Sequence, residues 1–278
     1  MGFSRFVAAG VLATAGLAAS AFGDASALNL LIPFDSNNPV GTGWTQSMAP
    51  NDDGSSGLID IGFTYCFYNQ GRTQLYINNN GNVSFSGPFT SFTSTGFPVN
   101  GFDMVAPFWA DVDTRNQTDN PDTNLVWHRQ IDLNSDGAAD LFAVTWDSVG
   151  WYSGQNGQRN TFQLLISADP NFFGANLNTA FSYGRMDWTT GQASGGGPFG
   201  GTPATVGANR GNGVDFSQLG RFDHAGADWD GAFGNNDGVD FLENRAFFFD
   251  GCAGDVPAPG AAALLGLGGL LAARRRRA

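Results

Sequence analysis

The stretch VAPFWADVDT, residues 105–114, carries two carboxylates, Asp111 and Asp113, directly after a run of mostly apolar residues. Side chains two residues apart on an extended segment point to the same face. Such a pair can be an acid/base couple, two metal ligands, or the polar end of a buried strand. Its neighbours favour the buried strand, which leads into the asparagine- and aspartate-rich loop RNQTDNPDTN; a cation contact there stays open.

The more specific chemical pattern is DLNSDGAAD, residues 132–140. Oxygen-bearing residues follow the spacing of the first positions of an EF-hand calcium loop, with a glycine at the sharp turn. The glutamate that closes such a loop is missing, so the pattern predicts a structural calcium ion in a β-hairpin loop; a polar turn without metal is the alternative. The predicted ligands are Asp132, Asn134, Asp136, the carbonyl of Ala138, and Asp140.

Patterns typical of catalysis are weak. His128 and His224 lie too far apart in sequence to suggest a zinc site by spacing, and His128 is expected to be a hydrogen-bonded strand residue. The sequence has neither a Gly-x-Ser-x-Gly elbow nor a P-loop. Aspartates are abundant, but none is singled out as half of a glycosidase pair, and Glu243 is expected at the surface or in a salt bridge. The segment NNDGVD, residues 235–240, favours an Asp-Gly turn over a second cation loop.

The elements that must position these residues are predicted to be strands. Helical periodicity is nearly absent from residues 28–255, where short β-rich runs alternate with turn residues. QLYI and NVSF flank the hairpin signal Asn80-Gly81. We therefore expect an all-β fold, an antiparallel β-sandwich or barrel-like single domain. Residues 189–203 are expected to form a flexible loop, and residues 221–250 a terminal hairpin. The other candidate strands are LIDIGFTYCFY, DMVAPFWA, NLVWHRQI, DLFAVTWDSV, NTFQLLISA, TAFSYGRMDW, ATVGANRG and RAFFFDG.

The two ends of the chain indicate export. Residues 1–27 combine Arg5, an apolar run and Ala-Ser-Ala sites, which predicts a secretory signal helix cleaved after Ala27. The apolar run 261–273 is short of the roughly 20 residues that a transmembrane helix needs. The four arginines that follow it predict a short membrane-inserted helix with a cytoplasmic stop. These arginines are Arg274, Arg275, Arg276 and Arg277.

Charge and cysteine content narrow the partners and the compartment. The chain has a net charge of −12 and no lysine, so it will repel nucleic acids and anionic lipids and attract cations. The two cysteines, Cys66 and Cys252, can form a disulfide in an oxidising compartment. Two buried thiols are the alternative.

The order of several segments resembles the nidogen-type extracellular domain, known as NIDO. These segments are LYINNNGNVSF, VAPFWADVDTRN, AVTWDSVGWY, RNTFQLLIS, FSYGRMDWTTG and PATVGANRG. The resemblance spans roughly Asn29 to Gly220 and suggests a NIDO-like domain over residues 28–255. It implies a β-rich domain of matrix and adhesion proteins without known catalytic activity. No cysteine-rich companion module is present, so no particular matrix partner is carried over.

The tail, residues 256–278, resembles the PEP-CTERM sorting signal of Gram-negative bacteria. Pro257 and Pro259 form its Pro-x-Pro motif, with Ala258 where the family usually has glutamate. The resemblance implies transient insertion in the inner membrane and processing by an exosortase-type protease. It also implies release to the cell surface or to an exopolysaccharide layer.

Taken together, these features predict a secreted or cell-surface bacterial protein. Its expected role is cell–matrix adhesion or participation in an extracellular matrix or exopolysaccharide layer, without catalysis. A calcium-dependent carbohydrate-binding module is the alternative, with Trp151, Tyr152 and Trp188 as stacking candidates, although core aromatics are the simpler interpretation of these residues. A glycoside-active enzyme is a further, weaker alternative.

Overall fold

The computed structural model describes residues 30–117 and 123–253. The predicted signal peptide and sorting tail lie outside the described residues. Within the described ranges, no helix is long and apolar enough to cross a membrane. Three short 3-10 turns cover Val40–Thr42, Gln192–Ser194 and Val239–Phe241. The strands are β1 (Thr45–Gln46), β2 (Ile59–Phe67), β3 (Gln70–Asn78), β4 (Asn82–Ser84), β5 (Met104–Trp109), β6 (Val112–Asp113), β7 (Leu125–Ile131), β8 (Leu141–Trp151), β9 (Gln155–Ser167), β10 (Thr179–Met186), β11 (Ala204–Asn209), β12 (Phe216–His224), β13 (Asp237–Gly238) and β14 (Ala246–Phe249).

These strands form two sheets. The first sheet has the order β1-β7-β8-β9-β10-β14, with β6 also pairing with β8. The second sheet has the order β13-β12-β11-β5-β4-β3-β2. The described pairings are antiparallel except that of β12 with β13, which is parallel. The prediction of an all-β, sandwich-like fold is confirmed.

The main core contains side chains from both sheets. On β8, Phe142, Val144 and Trp146 are fully buried in it, as the two-residue period of a strand requires. Trp146 stacks on Phe162 of β9, with ring centroids 5.1 Å apart. Phe162 also contacts Phe108 of β5 in the second sheet, at 5.6 Å. Aromatic contacts therefore connect the two sheets at the centre of the molecule.

Each sheet also has a covered outer face. Leu141 and Ala143, which alternate with the core residues of β8, pack in a second cluster with Ile32 and Trp44 from the segment before β2. On the second sheet, Met104, Ala106 and Trp109 pack with Phe89 of the β4–β5 connection. Strands buried on both faces are apolar almost throughout, which explains why VAPFW and LFAV are continuous apolar runs rather than alternating ones.

The terminal hairpin predicted over residues 221–250 is wrong. β12 begins earlier, at Phe216, and pairs antiparallel with β11. β13 adds parallel to β12, whereas β14 joins β10 in the first sheet. The last part of the chain therefore passes from the second sheet to the first, a step that its local sequence does not reveal.

The disulfide joins the two sheets at this end of the chain. Cys66 lies on β2 of the second sheet and is bonded to Cys252, just after β14 of the first sheet, with Cα atoms 4.9 Å apart. Two backbone hydrogen bonds reinforce the junction, from Tyr68 N to Gly251 O and from Asn69 N to Cys252 O, both 2.8 Å. The final strand is thereby fixed to the first long hairpin.

Asp147 is a charged group buried within the first sheet, on β8. It is fully buried, and its Oδ1 accepts hydrogen bonds from Ser36 Oγ (2.9 Å) and Ser148 Oγ (3.3 Å). None of the described residues donates a hydrogen bond to its Oδ2. Burial raises the pKa of Asp147 to about 7, and the two serine hydroxyls only partly oppose this. Its ionised form is therefore destabilising.

We predict that removing the disulfide with the double variant Cys66→Ala/Cys252→Ala lowers the free energy of unfolding. The bond closes a loop of sequence separation 186, for which the chain-entropy estimate is up to about 5 kcal/mol. Urea unfolding of oxidised wild type, dithiothreitol-reduced wild type and the variant measures the effect. Identical midpoints for all three, together with free thiols by intact mass, would contradict the bond.

We predict that Asp147→Asn stabilises the protein in a pH-dependent manner. The folded state binds the Asp147 proton more tightly than the unfolded state, so wild-type stability falls as pH rises from the ordinary value of 3.8 towards about 7. One pKa unit corresponds to about 1.4 kcal/mol, so the variant should gain up to about 4 kcal/mol over wild type across this window. Urea unfolding at several pH values measures the difference, and a difference independent of pH would refute the assignment.

Candidate functional site

The candidate site forms around the buried turn between β3 and β4. Asn78, Asn79, Asn80 and Asn82 are at most 1% exposed, and Gly81 between them is also buried. Gly81 has a positive φ of 75°, and a Cβ there would lie 1.8 Å from the carbonyl oxygen of Phe108. Glycine is therefore required both by the turn and by the close approach of β5.

The side chains of this turn hold the point where the chain changes sheets. β5 belongs to the second sheet and β6 to the first, so the chain crosses between sheets at Ala110–Asp111. Asn80 Oδ1 accepts a hydrogen bond from Val112 N (2.9 Å), and Asn79 Nδ2 donates to Val112 O (2.6 Å). Asn79 Nδ2 also donates to the carbonyl of Asp52. Two amide side chains thus attach both the crossing and the segment 51–54 to one buried turn.

Three aspartates meet at this junction and form the acidic cluster, defined as Asp52, Asp53 and Asp111. One carboxylate oxygen from each lies within 4.8 Å of the others. Within residues 30–117 and 123–253, this is the one group of three or more acidic, histidine or cysteine side chains close enough to hold a metal ion together. The sequence leaves open a cation contact in the loop 115–124, of which residues 118–122 lie outside the described residues, and it does not single out Asp52 or Asp53.

Asp111 is the innermost carboxylate of the acidic cluster. It is 2% exposed, and no described residue donates a hydrogen bond to its buried Oδ2. Gly191 closes its other side: a Cβ there would lie 2.2 Å from Oδ2. Burial, followed by the charges of Asp52, Asp53 and Asp113, raises the pKa of Asp111 to about 7.

Asp52 and Asp53 form the more open side of the acidic cluster, since both are half-buried. Asn80 Nδ2 donates to Asp53 Oδ1 (2.9 Å), and Arg115 Nη2 lies 3.2 Å from Asp52 Oδ2. Asp52 Oδ1 is buried without a hydrogen bond from the described residues. Burial, then repulsion from Asp113 and Asp53, raises the pKa of Asp52 to about 6 despite Arg115.

Asp113 has a different role from Asp111, although the two stand two residues apart. Its Oδ1 accepts hydrogen bonds from Arg115 N and Nε, and its Oδ2 accepts from Arg115 Nη2 and Gly154 N, all at 2.5–3.0 Å. Despite burial, these contacts hold the pKa of Asp113 below its ordinary value. The pair therefore consists of one satisfied carboxylate and one unsatisfied carboxylate.

The predicted calcium loop, residues 132–140, is an exposed connection between β7 and β8. Asp132 accepts backbone hydrogen bonds from Asn134, Ser135 and Gly137 at 2.6–3.2 Å, and these hold its pKa below the ordinary value. Asp136 Oδ1 accepts from Ala138 N (2.9 Å). Asp140 Oδ2 accepts from Leu133 N (2.8 Å). The side-chain oxygens thus order the loop, and calcium binding there stays a prediction.

The other residues considered in the sequence are hydrogen-bonded to neighbouring residues or buried in the core. His128 Nδ1 lies 3.0 Å from Ser47 Oγ, and burial lowers its pKa. Glu243 Oε1 accepts a hydrogen bond from Met186 N (2.9 Å). Asp237 is buried and accepts hydrogen bonds from Arg221 N and Asp230 N. Trp151 and Trp188 are buried, at 7% and 0% exposure, as the core interpretation predicted.

Two packed sheets joined by a disulfide define the described chain as a β-sandwich domain of the kind that persists in oxidising compartments. Residues 73–227 match the nidogen-like domain, and this match covers more than half of the chain. The chain belongs to the nidogen-like domain family, so this part of the resemblance is confirmed. The match includes Asp111 and the buried asparagine turn, whereas Asp52 and Asp53 precede it.

Individual relatives carry the same similarity. Mouse alpha-tectorin is 36% identical over 185 residues, which is 60% of this chain and 8% of that protein. Drosophila melanogaster nidogen is 24% identical over 164 residues, 53% of this chain and 12% of the relative. Human nidogen-1 is 28% identical over 193 residues, 55% of this chain and 16% of the relative. The chain thus spans a small fraction of the relatives' length. No solved structure matches the chain.

Proposed function

We propose that the protein is an extracellular, non-catalytic domain that acts in cell–matrix adhesion or as a component of a matrix or exopolysaccharide layer. The observation that carries the proposal is membership of the nidogen-like domain family over residues 73–227. Similarity to nidogens and alpha-tectorin supports it, although the chain spans only part of those proteins. The disulfide between the sheets suits an oxidising, extracellular environment.

The burial of the aromatic residues favours this function over the carbohydrate-binding alternative. Sugars stack on exposed aromatic faces, but six of the seven tryptophans are at most 7% exposed. The seventh, Trp229, is half-buried and stacks on Phe241, with ring centroids 5.2 Å apart. Of the three stacking candidates, Trp151 and Trp188 are therefore core residues, whereas Tyr152 is half-buried and its ring contacts the guanidinium of Arg115.

The proposal extends to the route by which the protein reaches the surface. Residues 1–27 act as the signal for export, and residues 256–278 insert transiently in the inner membrane of a bacterium. An exosortase-type protease then processes the tail near Pro257 and Pro259 and releases the domain to the surface. Support for this route comes from the amino-acid sequence of the two ends, including Arg274–Arg277.

A structural calcium ion in the loop 132–140 is part of the proposal. The loop offers carboxylate and carbonyl oxygens, the ligands that calcium prefers. Supporting it, Ser135 and Gly137 have positive φ values of 63° and 91°, so the loop curls around Asp132 as a compact turn. The ion would stiffen the connection between β7 and β8.

We predict that cells lacking this protein attach less well to surfaces or to their matrix, and that adding the purified full chain restores attachment. Counting the attached cells with the native chain added measures the effect, and the heat-unfolded chain is the control. A glycan array with and without EDTA tests the alternative: strong EDTA-sensitive glycan binding would favour the lectin-like function. Turnover of a glycan panel would contradict the non-catalytic proposal.

We predict that Asp136→Asn weakens calcium binding at the loop 132–140 at least tenfold, because it removes one ligand charge while keeping an oxygen that can accept the bond from Ala138 N. Isothermal titration calorimetry with calcium chloride measures the affinity and the number of sites. An unchanged titration in this variant would show that the loop does not bind calcium.

A further inference from the structure

The acidic cluster has the geometry of a cation site that is open on one side and closed on the other. Asp52 and Asp53 are half-buried, whereas Asp111 is 2% exposed and lies against Gly191. Oxygens that share a calcium ion at about 2.3–2.6 Å can lie up to about 5 Å apart. The separation of at most 4.8 Å between one oxygen from each aspartate satisfies this limit.

The unpaired carboxylate of Asp111 is an independent indication of a missing partner. Buried charges in proteins are normally paired, hydrogen-bonded or bound to a metal. The nearby donors are already engaged: Asn79 Nδ2 donates to Val112 O, and Asn80 Nδ2 donates to Asp53. Neither amide donates to Asp111, whose Oδ2 receives no hydrogen bond from the described residues. One oxygen of Asp111 lies within 4.8 Å of an oxygen of Asp52 and an oxygen of Asp53.

Charge at the acidic cluster is also unbalanced. Arg115 is the cation that contacts it, and its guanidinium makes two hydrogen bonds to Asp113 and lies 3.2 Å from Asp52. The charges of Asp53 and Asp111 are therefore left without a contacting cation among the described residues. The chain contains no lysine that could supply one. A divalent ion would neutralise these two charges.

We infer that Asp52, Asp53 and Asp111 bind a hard divalent cation, calcium, with Asp111 at the floor of the site and Asp52 and Asp53 at its entrance. Carboxylate oxygens in an irregular arrangement suit calcium, which accepts bidentate carboxylates and water, better than magnesium, which demands a near-ideal octahedron. The ion would attach the segment 51–54 to the crossing between the sheets. This site is separate from the loop 132–140 and does not depend on the adhesive function.

The test uses the full chain carrying Asp132→Asn and Asp136→Asn, which together remove two ligand charges from the loop 132–140 and so leave the acidic cluster as the site that is titrated. Titration with calcium chloride should give one site, with a dissociation constant in the range of about 10⁻⁴–10⁻³ M that is typical of extracellular modules. Adding Asp53→Asn should weaken binding at least tenfold, and adding Asp111→Asn should abolish it. Asp60→Asn, at an exposed position, is the matched control and should leave binding unchanged.

Thermal unfolding separates a ligand from a residue that is only structural. Without calcium, Asp111→Asn should raise Tm, because it removes a buried, repelled charge. In the background with the loop substitutions, calcium should raise the Tm of the parent chain and should not raise that of the chain that also carries Asp111→Asn. If Asp111→Asn lowers Tm by the same amount with and without calcium, the assignment is overturned. Unchanged calcium affinity in both the Asp53→Asn and the Asp111→Asn chains would also overturn it. An equal Tm rise with magnesium chloride would overturn the choice of calcium.

Discussion

The fold depends on satisfying the backbone where the chain crosses between sheets inside the molecule. A buried turn or crossing exposes amide and carbonyl groups that water cannot reach, and each unsatisfied group is costly. Here the side chains of Asn79 and Asn80 satisfy both backbone groups of Val112. The indole of Trp146 donates to the carbonyl of Asn79 from the other sheet, at 3.1 Å. The turn therefore serves as a polar centre within an apolar sandwich.

This polar centre places the most specific sequence motifs in contact. LYINNNGNVSF supplies the turn, VAPFWADVDT supplies the crossing, and AVTWDSVGWY supplies Trp146. Their resemblance to the nidogen-like family thus has a physical reading, since these segments form one hydrogen-bonded junction. The acidic cluster forms where segment 51–54 joins it. A cation there would stabilise the same junction that holds the sheets together.

The sequence predicted most of the strands, because apolar runs bounded by glycine, asparagine and aspartate are local signals. It did not predict β12, whose Ser217 and Gln218 are polar yet buried, or the two-residue strands β1, β6 and β13. Two-residue strands carry no periodicity. The path of β14 into the first sheet depends on long-range pairing with β10, which no local pattern encodes.

The geometry of the candidate site likewise depends on contacts between distant segments, which local sequence patterns do not encode. Asp111 and Asp113 look equivalent in sequence, but Arg115 and Gly154 satisfy only Asp113. Asp52 and Asp53 come close to Asp111 through hydrogen bonds between segments that are distant in sequence, including those from Asn79 to the carbonyls of Asp52 and Val112. By contrast, the loop 132–140 could be identified from spacing alone, since all its oxygens lie within one short segment.

The junction has asparagine side chains at most buried positions but a carboxylate at Asp111, and this difference indicates that the negative charge of Asp111 has a role. Where only hydrogen bonds are needed, the turn has asparagine, whose neutral amide is buried at modest cost when its hydrogen bonds are made. Asp111 is as buried as these asparagines, yet it carries an acid that receives no hydrogen bond from the described residues. Packing gains nothing from that charge, because an amide of the same shape would avoid repulsion from Asp52 and Asp53. A bound cation gives the charge a function, since only ionised oxygens would hold it strongly at a partly open site.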